Sequence, residues 1–293
     1  MNRLNLKIKG IEFNNPFILA SGVWDIDSGI ELQDYGAVIL KGVNLKGKEG
    51  NPPPRIYETA GGMINSIGLE NKGVSELIRR KNEIMNLGTK IFGNVFGSSI
   101  EEFGEVVERL DFLDGFEINV SCPNYEGTFF GRNPEIVYKI TKIVREKTDK
   151  IVFVKITPDT DFFIDVSRAA EDAGADGIVC ANTYRGLVVD INERKPVLGG
   201  ITGGVSGPGI KPLTMLRVWE LSKKIKIPII ASGGVYRWED TIEYILCGAT
   251  MVEIGSVIFR NPFILKDIIK NVNKFLDFYN IDNIIKLKGK LEV

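Results

Sequence analysis

The stretch "IVFVKITPDTDFFIDVSRAAEDAGADGIVCANT", residues 151–183, decides the fold of this chain. It opens with a run of Val, Ile and Phe that is typical of a buried strand, and it continues with an amphipathic segment of helical period. A second short apolar run ends it. A strand, a helix and another strand in this order indicate a βαβ unit with parallel strands.

The same alternation extends in both directions along the chain. It predicts eight strands, at 17–21, 37–43, 90–95, 115–121, 151–157, 177–183, 228–233 and 251–255. Helical segments between them are predicted at 75–86, 101–110, 134–146, 162–173, 213–223 and 238–247. Eight parallel strands buried on both faces favour an α/β fold closed into a (β/α)8 TIM barrel, after an N-terminal β-hairpin at 4–13. An open doubly wound sheet is the alternative, but "ASGVWD" after the first strand lacks the G-x-G-x-x-G that such a sheet normally carries.

Two connections, 44–73 and 184–211, are too long to be simple turns. Both follow strands, so in a barrel they form insertions at the C-terminal face, where active sites are built. No repeat, low-complexity segment or linker divides the chain. We therefore expect one domain over residues 1–293, although the length alone would allow two.

Composition limits the class of partner and the compartment. The 293 residues include 37 basic and 38 acidic side chains, a balance that attracts neither nucleic acid nor an anionic membrane, so we expect a small-molecule substrate. The N-terminus lacks the pattern of a signal peptide, and no apolar run approaches the roughly 20 residues of a bilayer span. We expect a soluble, cytoplasmic protein.

The reactive side chains are few. Three widely spaced cysteines without a C-x-x-C argue against disulfides and against a metal site, and we expect no metal. The chain contains no histidine, which removes the commonest general base. Proton chemistry must therefore use Cys, Lys, Tyr, Asp or Glu.

The ends of the last two strands indicate a phosphate site. "ASGGV" supplies Gly233 and Gly234, and "EIGSV" supplies Gly255 and Ser256. In barrels, backbone N–H groups at this place hold phosphate, and glycine allows close approach. Either turn alone could be an ordinary tight turn, but the adjacent pair favours a phosphate ligand.

Polar side chains at the predicted strand ends indicate a planar ligand. Lys155 lies in an apolar strand, where a lysine is costly unless it is paired or faces a polar ligand, and Lys41 ends the second strand. Carboxamides offer donors and an acceptor that suit the edge of a heterocycle. Five asparagines at or after strand ends could serve this purpose, although singly each is more often a turn or cap residue: Asn65, Asn94, Asn119, Asn124 and Asn182.

Cys122 follows the fourth strand in "NVSCPN" and precedes the loop "PNYEGTFFG", which could close over a ligand. A free cysteine is most often a small buried hydrophobe, the interpretation we adopt for Cys180 and Cys247. At the catalytic rim of a barrel, however, a thiol of reference pKa ~8.5 can act as a base without histidine. Cys122 is the candidate base.

The motifs resemble those of one known family, the class 1 dihydroorotate dehydrogenases. The resemblance covers essentially the whole chain and lies in "NPPPRIYETAGGMINSIGLENKG", "NVSCPN", "VKITPD", "ANT", "GGVSGPGIKP", "ASGGV" and "GATMVEIGS". It implies FMN at the C-terminal mouth of the barrel and oxidation of dihydroorotate to orotate in pyrimidine biosynthesis. Cys122 matches the base that takes the C5 proton while hydride passes from C6 to the flavin. A departure at "YEGTFFG" bears on the details of the lid.

The resemblance also assigns the site residue by residue. The residues expected to act in catalysis are Cys122, Lys41 and Lys155. Those expected to hold FMN are Ala20, Ser21, Gly22, Lys41, Asn94, Asn119, Lys155, Gly207, Gly233, Gly234, Gly255 and Ser256. Those expected to hold the substrate are Lys41, Asn65, Gly68, Leu69, Asn119, Asn124, Asn182 and Thr183.

Within class 1 the loop "PPPRIYETAGGMINSIGLENKG" resembles subclass 1B. This implies a homodimer of barrels in a heterotetramer with a partner subunit, which carries FAD and a 2Fe-2S cluster and passes electrons to NAD⁺. The chain lacks a cysteine cluster that could hold iron and sulfur itself. Alternatives are a fumarate-reducing homodimer of subclass 1A, a tRNA dihydrouridine synthase, a flavin-free phosphate-binding isomerase or aldolase, and a non-catalytic binding subunit.

Overall fold

The structure is a computed structural model that describes residues 2–121 and 130–292. Its strands in chain order are β1 (Leu6–Ile8), β2 (Ile11–Phe13), β3 (Phe17–Leu19), β4 (Ala37–Ile39), β5 (Ile56–Thr59), β6 (Gly62–Asn65), β7 (Ile91–Val95), β8 (Gly115–Asn119), β9 (Ile151–Lys155), β10 (Gly177–Cys180), β11 (Tyr184–Leu187), β12 (Val189–Asp190), β13 (Lys195–Pro196), β14 (Thr202–Ser206), β15 (Ile229–Ser232) and β16 (Met251–Ile254). Its α-helices are α1 (Val74–Arg79), α2 (Lys81–Met85), α3 (Ile100–Arg109), α4 (Pro134–Lys147), α5 (Phe163–Asp172), α6 (Lys211–Ser222), α7 (Trp238–Leu246) and α8 (Ile264–Phe278).

Eight parallel strands close into a barrel in the order β10-β15-β16-β3-β4-β7-β8-β9, and β9 pairs with β10 to complete the ring. The eight strands predicted from the sequence are confirmed, and so is the (β/α)8 class. Most of the observed strands end one to four residues before the predicted ends, because the last residues of each apolar run already belong to the rim loops.

The barrel strands alternate between an outer and an inner face. Val152 and Val154 of β9 pack outwards among the helices, whereas Phe153 points into the barrel and stacks on Phe92 at 5.4 Å between ring centroids. This period of two is the consequence of the pleat. The next inward position on β9, one layer closer to the C-terminal face, is Lys155.

The N-terminal hairpin closes the other end of the barrel. Strands β1 and β2 pair antiparallel, and Leu6, Ile8 and Phe13 join the inner aromatic and aliphatic layer. The predicted hairpin is therefore confirmed. Apolar side chains therefore close this end of the barrel, and the cavity formed by the described residues lies at the C-terminal face.

The two long connections are ordered by pairing with each other. Strands β5 and β6 come from the first, β11 and β14 from the second, and the four form an antiparallel sheet in the order β11-β14-β6-β5. This sheet lies beside the mouth of the barrel, because Asn65 of β6 and Gly204 of β14 line the same cavity as the strand ends.

One predicted helix is wrong in detail. The segment 75–86 forms two helices, because Arg80 leaves the helical conformation at φ −93° and ψ 11°. Its guanidinium binds the carboxylates of Asp27 and Glu83 at 2.6 and 2.7 Å.

Helix α8 adds an element beyond the six segments named from the sequence. Among the described residues, none of the helices combines the length and apolar character that a membrane span requires.

Candidate active site

A cavity of about 910 Å³ opens at the C-terminal ends of the barrel strands. Every barrel strand contributes to its wall, either with its last residues or with the loop that follows, as a closed ring of parallel strands requires. The volume lies within the range of ordinary ligand pockets, about 300–1,000 Å³.

The cavity brings together the predicted site residues that the structure describes. The lining includes Ala20, Ser21, Gly22, Lys41, Asn65, Gly68, Leu69, Asn94, Asn119, Lys155, Asn182, Thr183, Gly207, Gly233, Gly234, Gly255 and Ser256. Their placement agrees with the expectation, whereas their roles stay predictions. Cys122 and Asn124 lie outside the described residues.

Two glycine turns form one end of the cavity, after β15 and β16. Gly234 has φ +76°, and a Cβ there would lie 2.7 Å from the backbone nitrogen of Lys211, so only glycine is accommodated. A Cβ on Gly255 would instead meet no described atom closer than 3.8 Å. The space beside Gly255 is therefore open to a ligand, and a short 3-10 helix, Ser256–Phe259, begins at the next residue. This arrangement suits a phosphate group.

The carboxamides of Asn119, at the end of β8, and Asn182, just after β10, meet in the cavity. The side chain of Asn182 donates a hydrogen bond to Oδ1 of Asn119 at 3.3 Å, and its own Oδ1 accepts one from the backbone of Thr183 at 2.8 Å. Asn65 reaches the cavity from β6 and donates to the carbonyl of Gly204 at 3.3 Å. These bonds fix the direction of the amide groups, which could then read the edge of a planar ring.

A buried charged cluster forms the floor of the cavity. The ammonium of Lys155 donates to Glu253 at 2.8 Å and to both oxygens of Glu117 at 3.3 and 3.4 Å. Asn94 donates to Glu117 at 2.6 Å and Ser232 donates to Glu253 at 2.5 Å. All five side chains point into the barrel, one layer closer to its C-terminal face than the layer that contains Phe92 and Phe153.

Lys155 and Asn94 are predicted from the sequence, whereas Glu117, Glu253 and Ser232 are not. The two glutamates are almost wholly inaccessible, at 0% and 2% exposure, so each must be paired. Their signal in the sequence is an acidic residue at an inward position of an apolar strand, in "GFEIN" and "MVEI".

Burial and charge together set the protonation of this cluster. Burial raises the pKa of Glu117 well above its usual range, and the neighbouring Glu253 carboxylate raises it further. Burial acts against the charge of Lys155, but the two carboxylates outweigh it and raise the lysine pKa. Burial would also raise the pKa of Glu253, but the Lys155 ammonium and its hydrogen bonds hold it below the ordinary value. The surroundings therefore favour the charged form of Lys155 and oppose ionisation of Glu117.

The lining fits flavin mononucleotide. The glycine turns offer a place for its phosphate, and Lys155 supplies a cation at the floor, where a reduced flavin ring carries negative charge. Two buried oxygens of the floor, Oδ1 of Asn94 and Oε1 of Glu253, have no hydrogen-bond partner among the described residues. Buried polar atoms are rarely left so, which is consistent with a polar ligand in contact with the floor.

The sequence matches a family model and several hundred curated proteins. The model described as dihydroorotate dehydrogenase matches residues 3–276. The chain is 38% identical over 300 residues to the "Dihydroorotate dehydrogenase B (NAD(+)), catalytic subunit" of Geobacter sp. (strain M21), covering 99% of this chain and 98% of the relative. It is 39% identical over 299 residues to the protein of the same name from Thermoanaerobacter sp. (strain X514), covering 99% of each.

Proposed function

The chain belongs to the dihydroorotate dehydrogenase family, and from that premise we propose that it is the FMN-dependent subunit that oxidises dihydroorotate to orotate in the synthesis of UMP. One observation carries the proposal: a single cavity joins open glycine turns, a buried ammonium and a fixed pair of asparagine amides. These three features suit, in turn, a phosphate, the electron-rich face of a reduced flavin and the edge of a pyrimidine.

The residues that would hold FMN line one cavity. Gly233, Gly234, Gly255 and Ser256 line the cavity and would take the phosphate through backbone N–H groups, in the open space beside Gly255. Lys155 and Asn94 would face the ring from the floor. When bound there, FMN would accept the hydride from C6 of dihydroorotate.

The protein residues would position the substrate and move its proton. Asn119 and Asn182, locked to each other, would orient the pyrimidine ring, and Asn65 would approach from the inserted sheet. Gly68, Leu69 and Thr183 complete the expected substrate set, with Lys41 at the rim. Cys122 and Asn124, expected from the family resemblance, follow directly after Asn119 and Ser121 in the sequence. As thiolate, Cys122 would take the C5 proton.

The electron acceptor that we propose is NAD⁺, reached through a partner subunit with FAD and a 2Fe-2S cluster. The support is that the relatives carry the name of an NAD(+)-linked catalytic subunit. A homodimer of barrels within a heterotetramer is part of the same proposal. The names of the relatives favour an NAD⁺-linked partner over direct reduction of fumarate.

A coupled assay tests the proposed function. The chain is produced alone and together with the proteins that copurify with it, and orotate formation from dihydroorotate is followed by absorbance with NAD⁺ or fumarate as oxidant. We expect NAD⁺ to support turnover only when the partner is present. Turnover of the chain alone with fumarate would instead assign the other subclass, and no orotate with any oxidant would reject the activity.

A further inference from the structure

The floor of the cavity contains more carboxyl groups than its cation can balance. Glu117, Glu253 and Lys155 come from three different barrel strands, β8, β16 and β9, and all are at most 6% exposed. Two ionised carboxylates beside one ammonium would leave a buried net negative charge, which is costly at low dielectric. One proton on the pair makes the cluster neutral.

The hydrogen bonds indicate where that proton can lie. Oε1 of Glu117 already accepts from Asn94 and Lys155, and Oε2 of Glu253 already accepts from Ser232 and Lys155. Oε2 of Glu117 receives only a long bond of 3.4 Å, and Oε1 of Glu253 receives none from a described residue. The ammonium of Lys155 contacts both carboxyls, Glu253 at 2.8 Å and Glu117 at 3.3 Å, so the two acids adjoin the same cation. A proton on one of them turns that carboxyl into a donor and removes one of the two buried negative charges.

We propose that Glu117 and Glu253 share one proton and act as positioning residues that, through Lys155, set the charge which the cavity floor presents to the cofactor. The proposal deepens the proposed function, because the cofactor is the FMN assigned there. Among the described residues, the groups that face Glu117 are the ammonium of Lys155, the carboxyl of Glu253 and the neutral amide of Asn94, while Ser232 faces Glu253. The shared proton does not depend on a bound ligand, because both carboxyls belong to the protein.

The shared proton has a consequence for the reduction potential. While the proton is present, the cluster is neutral. When it is lost at alkaline pH, the floor becomes negative and opposes a reduced flavin, which also carries negative charge. Reduction of the flavin then returns a proton to the pair of glutamates. The reduction potential of the flavin in the wild-type protein should therefore fall more steeply with pH in the alkaline range than in a protein without the shared proton.

Infrared spectroscopy of the flavin-free protein tests the shared proton independently of any activity. At neutral pH we expect the carbonyl stretch of a protonated buried carboxylic acid in the wild type and its loss in Glu117→Gln. We also expect its loss in Glu253→Gln, because the remaining carboxyl then has a lysine to itself and ionises. Glu135→Gln, at an exposed ion pair with Lys139, is the control that should keep the band. A band absent from the wild type, or one that survives in Glu253→Gln, overturns the proposal.

Potentiometry of the flavin-loaded protein tests the effect on the cofactor. Glu117→Gln should lose the steeper alkaline fall. The double variant Glu117→Gln with Glu253→Gln leaves Lys155 unbalanced, and it should bind reduced relative to oxidised FMN at least tenfold better, a rise of about 30 mV for a two-electron couple. An unchanged or lower potential overturns the proposal. If the wild type binds no FMN, the proposed function fails while the infrared result still decides the shared proton.

Discussion

Asn182 donates a hydrogen bond to Asn119 across the mouth of the barrel, at 3.3 Å between Nδ2 and Oδ1. Asn182 follows β10 and Asn119 is the last residue of β8, and β9 with its Lys155 lies between these two strands. The bond therefore links two amide groups in the cavity that Lys155 also lines. A planar ring held by these amides would share that cavity with the charged cluster.

Removal of one of these amides should weaken binding of the product. We expect Asn182→Ala to raise the dissociation constant of orotate roughly 10- to 100-fold, because a hydrogen bond to a charged or polar ligand group contributes about 1.5–3 kcal/mol. Titration of the flavin spectrum with orotate measures it. Asn86→Ala is the matched control, since its amide bonds only the carbonyl of Asn82 on the surface. Equal affinities in the two variants would contradict the role of Asn182.

The glycine turns permit a test that separates ligand binding from folding. Gly255→Ala places a Cβ where no described atom lies within 3.8 Å, so the stability of the flavin-free protein should be unchanged. FMN affinity should nevertheless fall at least tenfold, because the methyl group enters the space assigned to the phosphate. Gly234→Ala should lower both the stability and the FMN affinity, since its Cβ meets the backbone of Lys211. Equilibrium dialysis and thermal unfolding measure the two quantities, and wild-type FMN affinity in Gly255→Ala would place the phosphate elsewhere.

Lys155 should be essential for stability as well as for the cofactor. Lys155→Met leaves Glu117 and Glu253 without their cation, and loss of one partner from a buried ion cluster costs about 3–5 kcal/mol. Denaturant unfolding of the flavin-free protein measures this loss. The added change Glu253→Gln should recover part of it, because one buried carboxyl fewer then lacks a partner. A double variant no more stable than Lys155→Met would contradict the electrostatic origin of the loss.

The raised pKa of Glu117 predicts the sign of a pH effect on stability. Burial and Glu253 raise the pKa of the folded state above the unfolded value of about 4.5, so the folded state binds the proton more tightly. The stabilising contribution of the Glu117 carboxyl is therefore fully present at a pH below its unfolded pKa. It is lost as pH rises through the pKa of the folded state. The free energy of unfolding of wild type relative to Glu117→Gln should fall with rising pH in that window. A difference that is constant or rises with pH would mean that Glu117 is ionised in the folded protein.

The barrel could be predicted from the sequence because its signals are local. Eight apolar runs, each followed by a helical or loop segment, specify the strand order of a closed parallel sheet without any long-range information. The inserted sheet could not be predicted, because it pairs Asn65 with Gly204, residues far apart in the chain that carry no local sign of their register. One domain over residues 1–293 stays a prediction.

The site was predicted only in part, for a physical reason. Asparagines and glycines at strand ends are visible as rim residues, and the family resemblance gave them roles. Glu117 and Glu253 lie within the strands, where an acidic residue interrupts an apolar run and does not by itself indicate a site. Only the alternation of the strand places them on the inner face beside Lys155, and that contact joins three strands from distant parts of the chain.

Anaerobic single-turnover mixing with dihydroorotate tests the central claim, that this cavity joins FMN, dihydroorotate and a thiol base. We predict rapid bleaching of the flavin absorbance in the wild type. Cys122→Ala should keep its flavin and bleach ~10²–10⁴-fold more slowly, the usual contribution of a positioned base. A yellow wild-type protein that dihydroorotate does not bleach would contradict the account, and a Cys122→Ala protein that bleaches at the wild-type rate would remove the base from it.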